Sequence, residues 1–321
     1  MKSIGGFFEL EIAQGKSLYH DEAIKLSTAR ACLSLVLQTK KYSKVYVPFY
    51  CCDALLAPLK LEGIPFEFFS INDRFEIINR IDLKGNEAII YCNFFGVKSN
   101  YVDELIEIYQ DQLIIDNTHA FFIKEYKNNI SFTTARKYFG VPDGAFLYYP
   151  KKEIIFKFKR NTKVHIDHNL NRLLGFQEKA YNDFIKYEKS LDSSINEISI
   201  LSEKILKTLD YDNILIKRNK NYDLLRQELG YLNTLEIDDT VGNHFCYPLL
   251  LDSPIEKQLF YNEGFFIPSY WLDVANRDQK GKYIFENKLS LELLSLPIDH
   301  RYNEKDLLRV VNFIKKQKNG H

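Results

Sequence analysis

A chain of 321 residues, 45% hydrophobic and 27% charged, has the composition of an ordinary globular protein and the length of about two domains. Lys+Arg and Asp+Glu both number 43, so the net charge is zero, which excludes the basic excess of a nucleic-acid binder. No apolar run approaches the ~20 residues that span a bilayer, so neither partner, nucleic acid nor membrane, is expected. The five cysteines are odd in number, Cys51 and Cys52 are adjacent, and no C-x-x-C pair occurs. That pattern fits reduced thiols better than a disulfide framework or a metal site. The stretch MKSIGGFFELEIAQGK carries Glu9 and Glu11 inside its apolar part and does not read as a secretory signal. The expected location is cytoplasmic.

The elements follow in chain order. Residues 28–38, TARACLSLVLQ, read as a buried helix with Ser27 or Thr28 as its N-cap. VYVP (45–48) is a strand ended by Pro48. A helix over 50–61 and a strand PFEFFSI (65–71) come next. EAIIYCNF (87–94) is β-rich, a helix follows near 101–110, and LIID (113–116) is a short buried strand ending on an acid. ISFTT (130–134) and GAFLYYP (144–150) bracket the turn-rich segment RKYFGVPD. Strands alternating with helices point to an α/β class with a mostly parallel sheet. From about 166 to 230 the pattern is long, charged and helical. HFCYPLLL (244–251) is strand-like, a helix lies near 254–263, FFIPSYW (265–271) follows, and an amphipathic helix runs near 304–316. The expected organisation is a large domain over 1–205 and a smaller C-terminal α+β domain over 206–321.

Ligands of such sheets bind beyond the carboxyl ends of the strands. Three polar clusters fall there: Ser27-Thr28-Ala29-Arg30 at a helix start, Asp116-Asn117-Thr118-His119 after LIID, and Thr134-Ala135-Arg136-Lys137 after ISFTT. Free N–H groups at a helix start hold phosphate. A phosphate cradle, an acid, a hydroxyl and a lysine are together the parts that pyridoxal 5'-phosphate (PLP) needs: an amine for its aldehyde and a carboxylate for its ring nitrogen. Singly each has a bland reading. Lys137 alone is a solvated lysine, Asp116 a turn cap, His119 a structural histidine. Cys51 and Cys52 alone are packing residues, and His165 and His168 lie on a polar surface stretch. Asp116 and His119 lack a third ligand for a metal.

The order and spacing of these clusters carry a resemblance. IIDNTHAFF is similar to an apolar strand followed by D-x-x-Q/H. TARKYFGVPDGAFLYY is similar to an S-x-x-(R)K segment with a small pair, here Gly144 and Ala145, seven and eight residues on. With STARACLSLVL, VYVPFYCCDALLAPLKLEGIPFEFFSI and LSLPIDHRY, the chain over roughly residues 5 to 316 resembles the DegT/StrS-type family of PLP-dependent sugar aminotransferases, of aspartate-aminotransferase-like fold type I.

The resemblance implies the roles. Lys137 forms the Schiff base and shuttles the proton, and Asp116 keeps the pyridinium protonated. His119 lies near the phenolic oxygen. Thr134 takes the phosphate-binding serine position, and Ala29 and Arg30 take the glycine and threonine/arginine positions at the phosphate end. Tyr50 and Cys52 are candidates for the ring face, and Asn93 and Phe95 match a loop near the substrate. The family's N-Y-R-M stretch, which enters the neighbouring subunit's site, has only a faint echo in His168-Asn169-Leu170-Asn171-Arg172. The implied activity moves an amino group from an amino acid, glutamate, to a keto acceptor on a nucleotide-linked sugar, in a homodimer. Another PLP-dependent reaction (lyase or dehydratase) and a catalytically idle dimeric scaffold are the alternatives.

Overall fold

The computed structural model describes residues 4, 6–126, 128–150, 157–238, 242–277 and 280–319, so positions 1–3 and 5 of the N-terminal stretch lie outside it. Seven strands form one sheet: β1 (Ile24–Leu26), β2 (Lys44–Pro48), β3 (Phe66–Phe69), β4 (Glu87–Cys92), β5 (Leu113–Asp116), β6 (Ile130–Thr134) and β7 (Ala145–Tyr148), in the order β1-β7-β6-β5-β4-β2-β3. The β3-β2-β4-β5-β6 run is parallel throughout, while β7 and β1 join antiparallel. The mostly parallel sheet read from the alternating pattern is therefore present. Its central strands are continuous apolar runs because both of their faces are covered; every residue of β5 and β6 is buried.

The helices among the described residues are α1 (Ala29–Lys40), α2 (Asp53–Leu61), α3 (Ser99–Tyr109), α4 (Asp167–Leu173), α5 (Gln177–Ser190), α6 (Ile200–Lys207), α7 (Tyr211–Leu229), α8 (Lys257–Asn262), α9 (Asp273–Arg277), α10 (Ile284–Glu292) and α11 (Glu304–Asn319). Thr28 caps α1: its hydroxyl accepts the Ala31 N–H at 3.0 Å. A second, antiparallel sheet pairs β8 (Cys246–Leu249) with β9 (Leu294–Pro297), and α7 packs on β8 and on α11.

Several boundaries differ from the sequence pattern. The helix expected from residue 50 begins at Asp53, because Arg277 holds the preceding turn: it donates to Phe49 O (2.9 Å) and Cys51 O (3.1 Å) and pairs with Asp53 (2.7 Å). The helical region over 166–230 is four helices. Gly175, at φ +84, breaks it after α4, and Ser199 and Asp210 cap fresh starts at α6 and α7. Residue 205, the expected domain boundary, lies within α6. Strand β9 and helices α9 and α10 escaped the pattern altogether. His168 is half-buried and stacks on Tyr187 (5.2 Å, 21°) rather than lying free on the surface.

Two further contacts fix the loops over the main sheet. Lys98 is fully buried yet paired twice, with Glu76 (2.8 Å) and Asp238 (2.7 Å), which satisfies a charge that would otherwise be costly to bury. The turn after β4 carries Phe95 at φ +52 and Gly96 at φ +73. A Cβ on Gly96 would lie 2.5 Å from His119 O and 2.6 Å from Asn243 O, both backbone atoms. Gly96→Ala is therefore expected to cost about 2–4 kcal/mol through clash and left-handed strain, measured as a lowered midpoint of urea unfolding.

Candidate active site

Register decides what meets at the strand ends. Cys92 pairs with Asp116 across β4 and β5, and Asp116 with Phe132 across β5 and β6. Thr134 pairs with Ala145, and Ala145 with Leu26. The carboxyl ends of β4, β5 and β6 and the chain entering α1 thus share one edge of the sheet. The cleft there is lined by Cys51, Cys52, Leu55, Cys92, Asn93, Asp116, Thr118, His119, Lys137 and Trp271, and holds about 270 Å³ of empty space, part of it open to solvent.

Asp116 is 8% exposed. One carboxylate oxygen accepts the Thr118 N–H (2.8 Å) and the other the Cys92 thiol (3.7 Å). Burial pushes its pKa up, and the nearby Lys137 charge opposes the shift. His119 is buried, and desolvation, with Lys137 assisting, drives its pKa well below the ordinary histidine value. The ring is neutral. Phe95 N–H donates to Nδ1 (3.3 Å), so the ring hydrogen sits on Nε2, which is buried and has no hydrogen-bond partner among the described residues. The ring stacks on Phe245 (4.5 Å, 20°) and on Trp271 (5.3 Å, 5°). Lys137 is exposed at the cleft; its amine donates to Thr118 Oγ1 (3.3 Å) and lies 5.9 Å from the Phe245 ring.

The helix start adjoins this edge through a short chain of bonds. Gly144 N–H donates to Ser27 O (2.8 Å), while Gly144 O accepts from Thr134 Oγ1 (3.0 Å) and Ala135 N–H (2.9 Å). Gly144 stands at φ +121, and a Cβ there would come within 3.0 Å of Ile198. With the Ala31 N–H taken by Thr28, the N–H groups of Ala29 and Arg30 are left without intrahelical acceptors. Arg30 is half-buried and forms no ion pair among the described residues.

Of the residues singled out in the sequence, Cys52, Asn93, Asp116, His119 and Lys137 line the cleft. Ala29, Arg30 and Thr134 lie at the α1 end of the same edge, outside the lining. Tyr50 and Phe95 do not line it either. Tyr50 is buried edge-on against Trp271 (4.5 Å), and Phe95 sits behind His119 (5.4 Å). Thr118 and Trp271 were not singled out. The Asp-x-Thr spacing at a strand end marks Thr118, since an acid there accepts the N–H two residues on. Trp271 is the only tryptophan of the chain and carries no periodic signal.

Solved structures share this architecture. The chain is similar to DesV of S. venezuelae, solved in complex with a ketimine intermediate, at 13% identity and a TM-score of 0.64, covering 92% of this chain and 84% of that one. A DegT DnrJ EryC1 StrS aminotransferase from Brucella abortus matches at 15% identity and a TM-score of 0.64, covering 91% and 85%. The fold is that of the aminotransferases. It is the fold type I architecture expected from the sequence. NtdA from Bacillus subtilis, solved with bound cofactor PMP, matches at 14% identity and a TM-score of 0.63, covering 90% and 72%. No protein-family model matches the sequence, and neither does any curated protein.

The histidines set a pH dependence. His20, hydrogen-bonded to Tyr148 and Phe121, and His244, stacked on Tyr222, are driven by burial down to about 3. His119 moves the same way. Below about pH 6.5 the unfolded chain takes up protons that these native rings refuse. Stability therefore rises with pH there and is lost as pH falls, by about 1.4 kcal/mol per histidine per pH unit. Urea unfolding at pH 7, 6 and 5 is expected to show a steady decline; unchanged stability across that range contradicts the neutral rings.

Proposed function

We propose that the protein is a PLP-dependent aminotransferase that moves an amino group from an amino acid, glutamate, to a keto group on a nucleotide-linked sugar. The observation that carries this reading is the convergence of Lys137, the buried Asp116 carboxylate and the orphaned Nε2–H of His119 on one cleft at the strand ends. The sugar acceptor rests on similarity of fold to sugar aminotransferases and on the resemblance of the motifs.

The residues fit the cofactor. The His119 Nε2–H is a buried donor lacking an acceptor among the described residues, and the phenolic oxygen of a bound cofactor would supply one. Asp116, destabilised as an anion by burial, is suited to a protonated ring nitrogen. The N–H groups of Ala29 and Arg30 and the Arg30 cation would be the donors for the phosphate, whereas the Thr134 hydroxyl, given to Gly144 O, would have to turn from that carbonyl to join them. Cys52 lines the cleft where Tyr50 does not, so Cys52 is the better candidate for the ring face. Bound PLP supplies an aldehyde to receive the amino group and a ring that withdraws electrons from the bond being broken.

The chain's own groups do the rest. Lys137 offers an amine at the cleft, binds the cofactor and moves the proton. Asp116 keeps the ring charged, and neutral His119 donates a hydrogen bond. Trp271, Phe245 and Phe95 exclude water behind His119, which strengthens every charge interaction in front of it.

The same reading includes two domains meeting near residue 205, a cytoplasmic setting and a homodimer. No helix among the described residues is long and apolar enough to cross a membrane. The dimer is supported by the α4–α5 hairpin, which exposes Leu170, Leu173 (82%), Leu174, Phe176 and Phe184 together. Soluble monomers seldom leave such patches open.

Three outcomes are expected. Borohydride reduction with PLP places a pyridoxyl group on Lys137 by mass spectrometry, and Lys137→Ala removes it; an adduct on another lysine refutes the assignment. Asp116→Asn, loaded with PLP, loses about a hundredfold or more in turnover, because a neutral amide holds no ring proton by charge. Light scattering at micromolar concentration gives twice the 37.8 kDa chain mass, and Leu173→Asp with Leu174→Asp lowers it toward one chain.

A further inference from the structure

The segments carrying Asp116 and Lys137 are locked together more tightly than their roles as separate site residues require. Asn117 is held on every side. Its N–H donates to Phe132 O (2.8 Å), and its carbonyl accepts from Thr133 Oγ1 (2.7 Å) and from Ala120 N–H (2.8 Å). Its side-chain oxygen accepts from Asn93 (3.3 Å). The next residue, Thr118, is therefore fixed in place. Its N–H donates to Asp116 Oδ1 (2.8 Å), and its hydroxyl accepts from Lys137 Nζ (3.3 Å).

Lys137 is anchored from its own side as well. Arg136 pairs with Glu188 and lies over the Tyr187 ring (5.2 Å), Tyr138 and Phe139 are buried, and both of their N–H groups donate to Ala135 O (2.9 Å). The lysine backbone is rigid while its side chain, with four rotatable bonds, is among the costliest to immobilise. The hydroxyl of Thr118 is its hydrogen-bond acceptor in the cleft.

We propose that Thr118 is a positioning residue that serves both halves of the site at once: its backbone N–H fixes the Asp116 carboxylate and its hydroxyl holds the Lys137 amine beside it. The function of that second bond rests on the reading of Lys137 as the amine that takes the cofactor. An amine displaced by substrate must stay at the reacting atoms to move a proton, and a fixed hydroxyl keeps it there. The N–H survives any substitution except proline, whereas the hydroxyl touches both the Lys137 amine and the Asp116 carboxylate, so substitution tests the hydroxyl and leaves the backbone bond in place. Thr118→Val keeps the branched shape without the hydroxyl; Thr118→Ser keeps the hydroxyl.

Among the other groups near Lys137, Cys92 on β4, Cys52 before α2, His119, Phe245 and Cys246 on β8 are untouched in both variants, while Asp116 on β5 loses the hydroxyl's bond in Thr118→Val and keeps it in Thr118→Ser. A change in the amine therefore reports the hydroxyl. The test is trace labelling of the cofactor-free protein with acetic anhydride at fixed pH, read by mass spectrometry against exposed Lys60. Labelling of Lys137 is expected to rise about two- to tenfold in Thr118→Val, the effect of losing one hydrogen bond, and to stay at the starting level in Thr118→Ser. Equal labelling in all three proteins, or an equal rise in both variants, overturns the proposal. Borohydride trapping with PLP on the unmodified protein separates the two readings. A missing adduct at Lys137 refutes the cofactor assignment, while the labelling result still decides whether Thr118 holds the amine.

Discussion

The pairing register of β4, β5 and β6 is the constraint on which the chemistry of this chain depends. Parallel strands satisfy each other's backbone groups along their length and release the chain at a common edge. Shifting β5 by one residue would turn the Asp116 side chain to the opposite face. With Cys92, Asp116 and Phe132 in line, the first residues beyond β5 and β6 are Asn117 and Ala135, and the two polar runs that follow face one another. The antiparallel entry of β7 and β1 then carries the start of α1 to the same edge through Gly144.

Around that edge the fold accepts unfavourable local states. Asp116 is an acid held in a desolvated place, His119 is a buried ring with an unpaired donor, and Phe95 and Trp271 stand at φ +52 and +59. Positive φ is a strained conformation for bulky side chains, and such strain gathers at functional sites where surrounding packing over-determines it. Here the packing is aromatic: Tyr50, Phe94, Phe95, His119, Phe245, Tyr270 and Trp271 form one connected group.

The C-terminal part of the chain adds Trp271 to the cleft lining and braces the β-rich part around it. Arg277 ties down the turn before α2, Tyr283 stacks on Phe49 (3.6 Å, 3°), and Trp271 closes one wall. Asp238 reaches back to buried Lys98. None of these contacts is marked by local pattern, since each joins residues more than a hundred positions apart. The family resemblance made Tyr50 a candidate for the ring face and Phe95 part of a loop near the substrate, and the aromatic packing places both outside the cleft lining.

Local sequence determined the strands LIID and ISFTT to the residue, the α1 start to within its two candidate caps, Ser27 and Thr28, and the three polar clusters at strand ends, because these depend on hydrophobic period and on residues adjacent in the chain. Its spacing also singled out Asp116, His119 and Lys137, which the fold brings to one cleft. Tertiary structure alone decided which of the candidates line the cleft, that His119 is neutral with its hydrogen on Nε2, and that Thr118 bridges the acid and the lysine. Those outcomes depend on desolvation and on contacts between distant segments, quantities that exist only once the register of the sheet has been set.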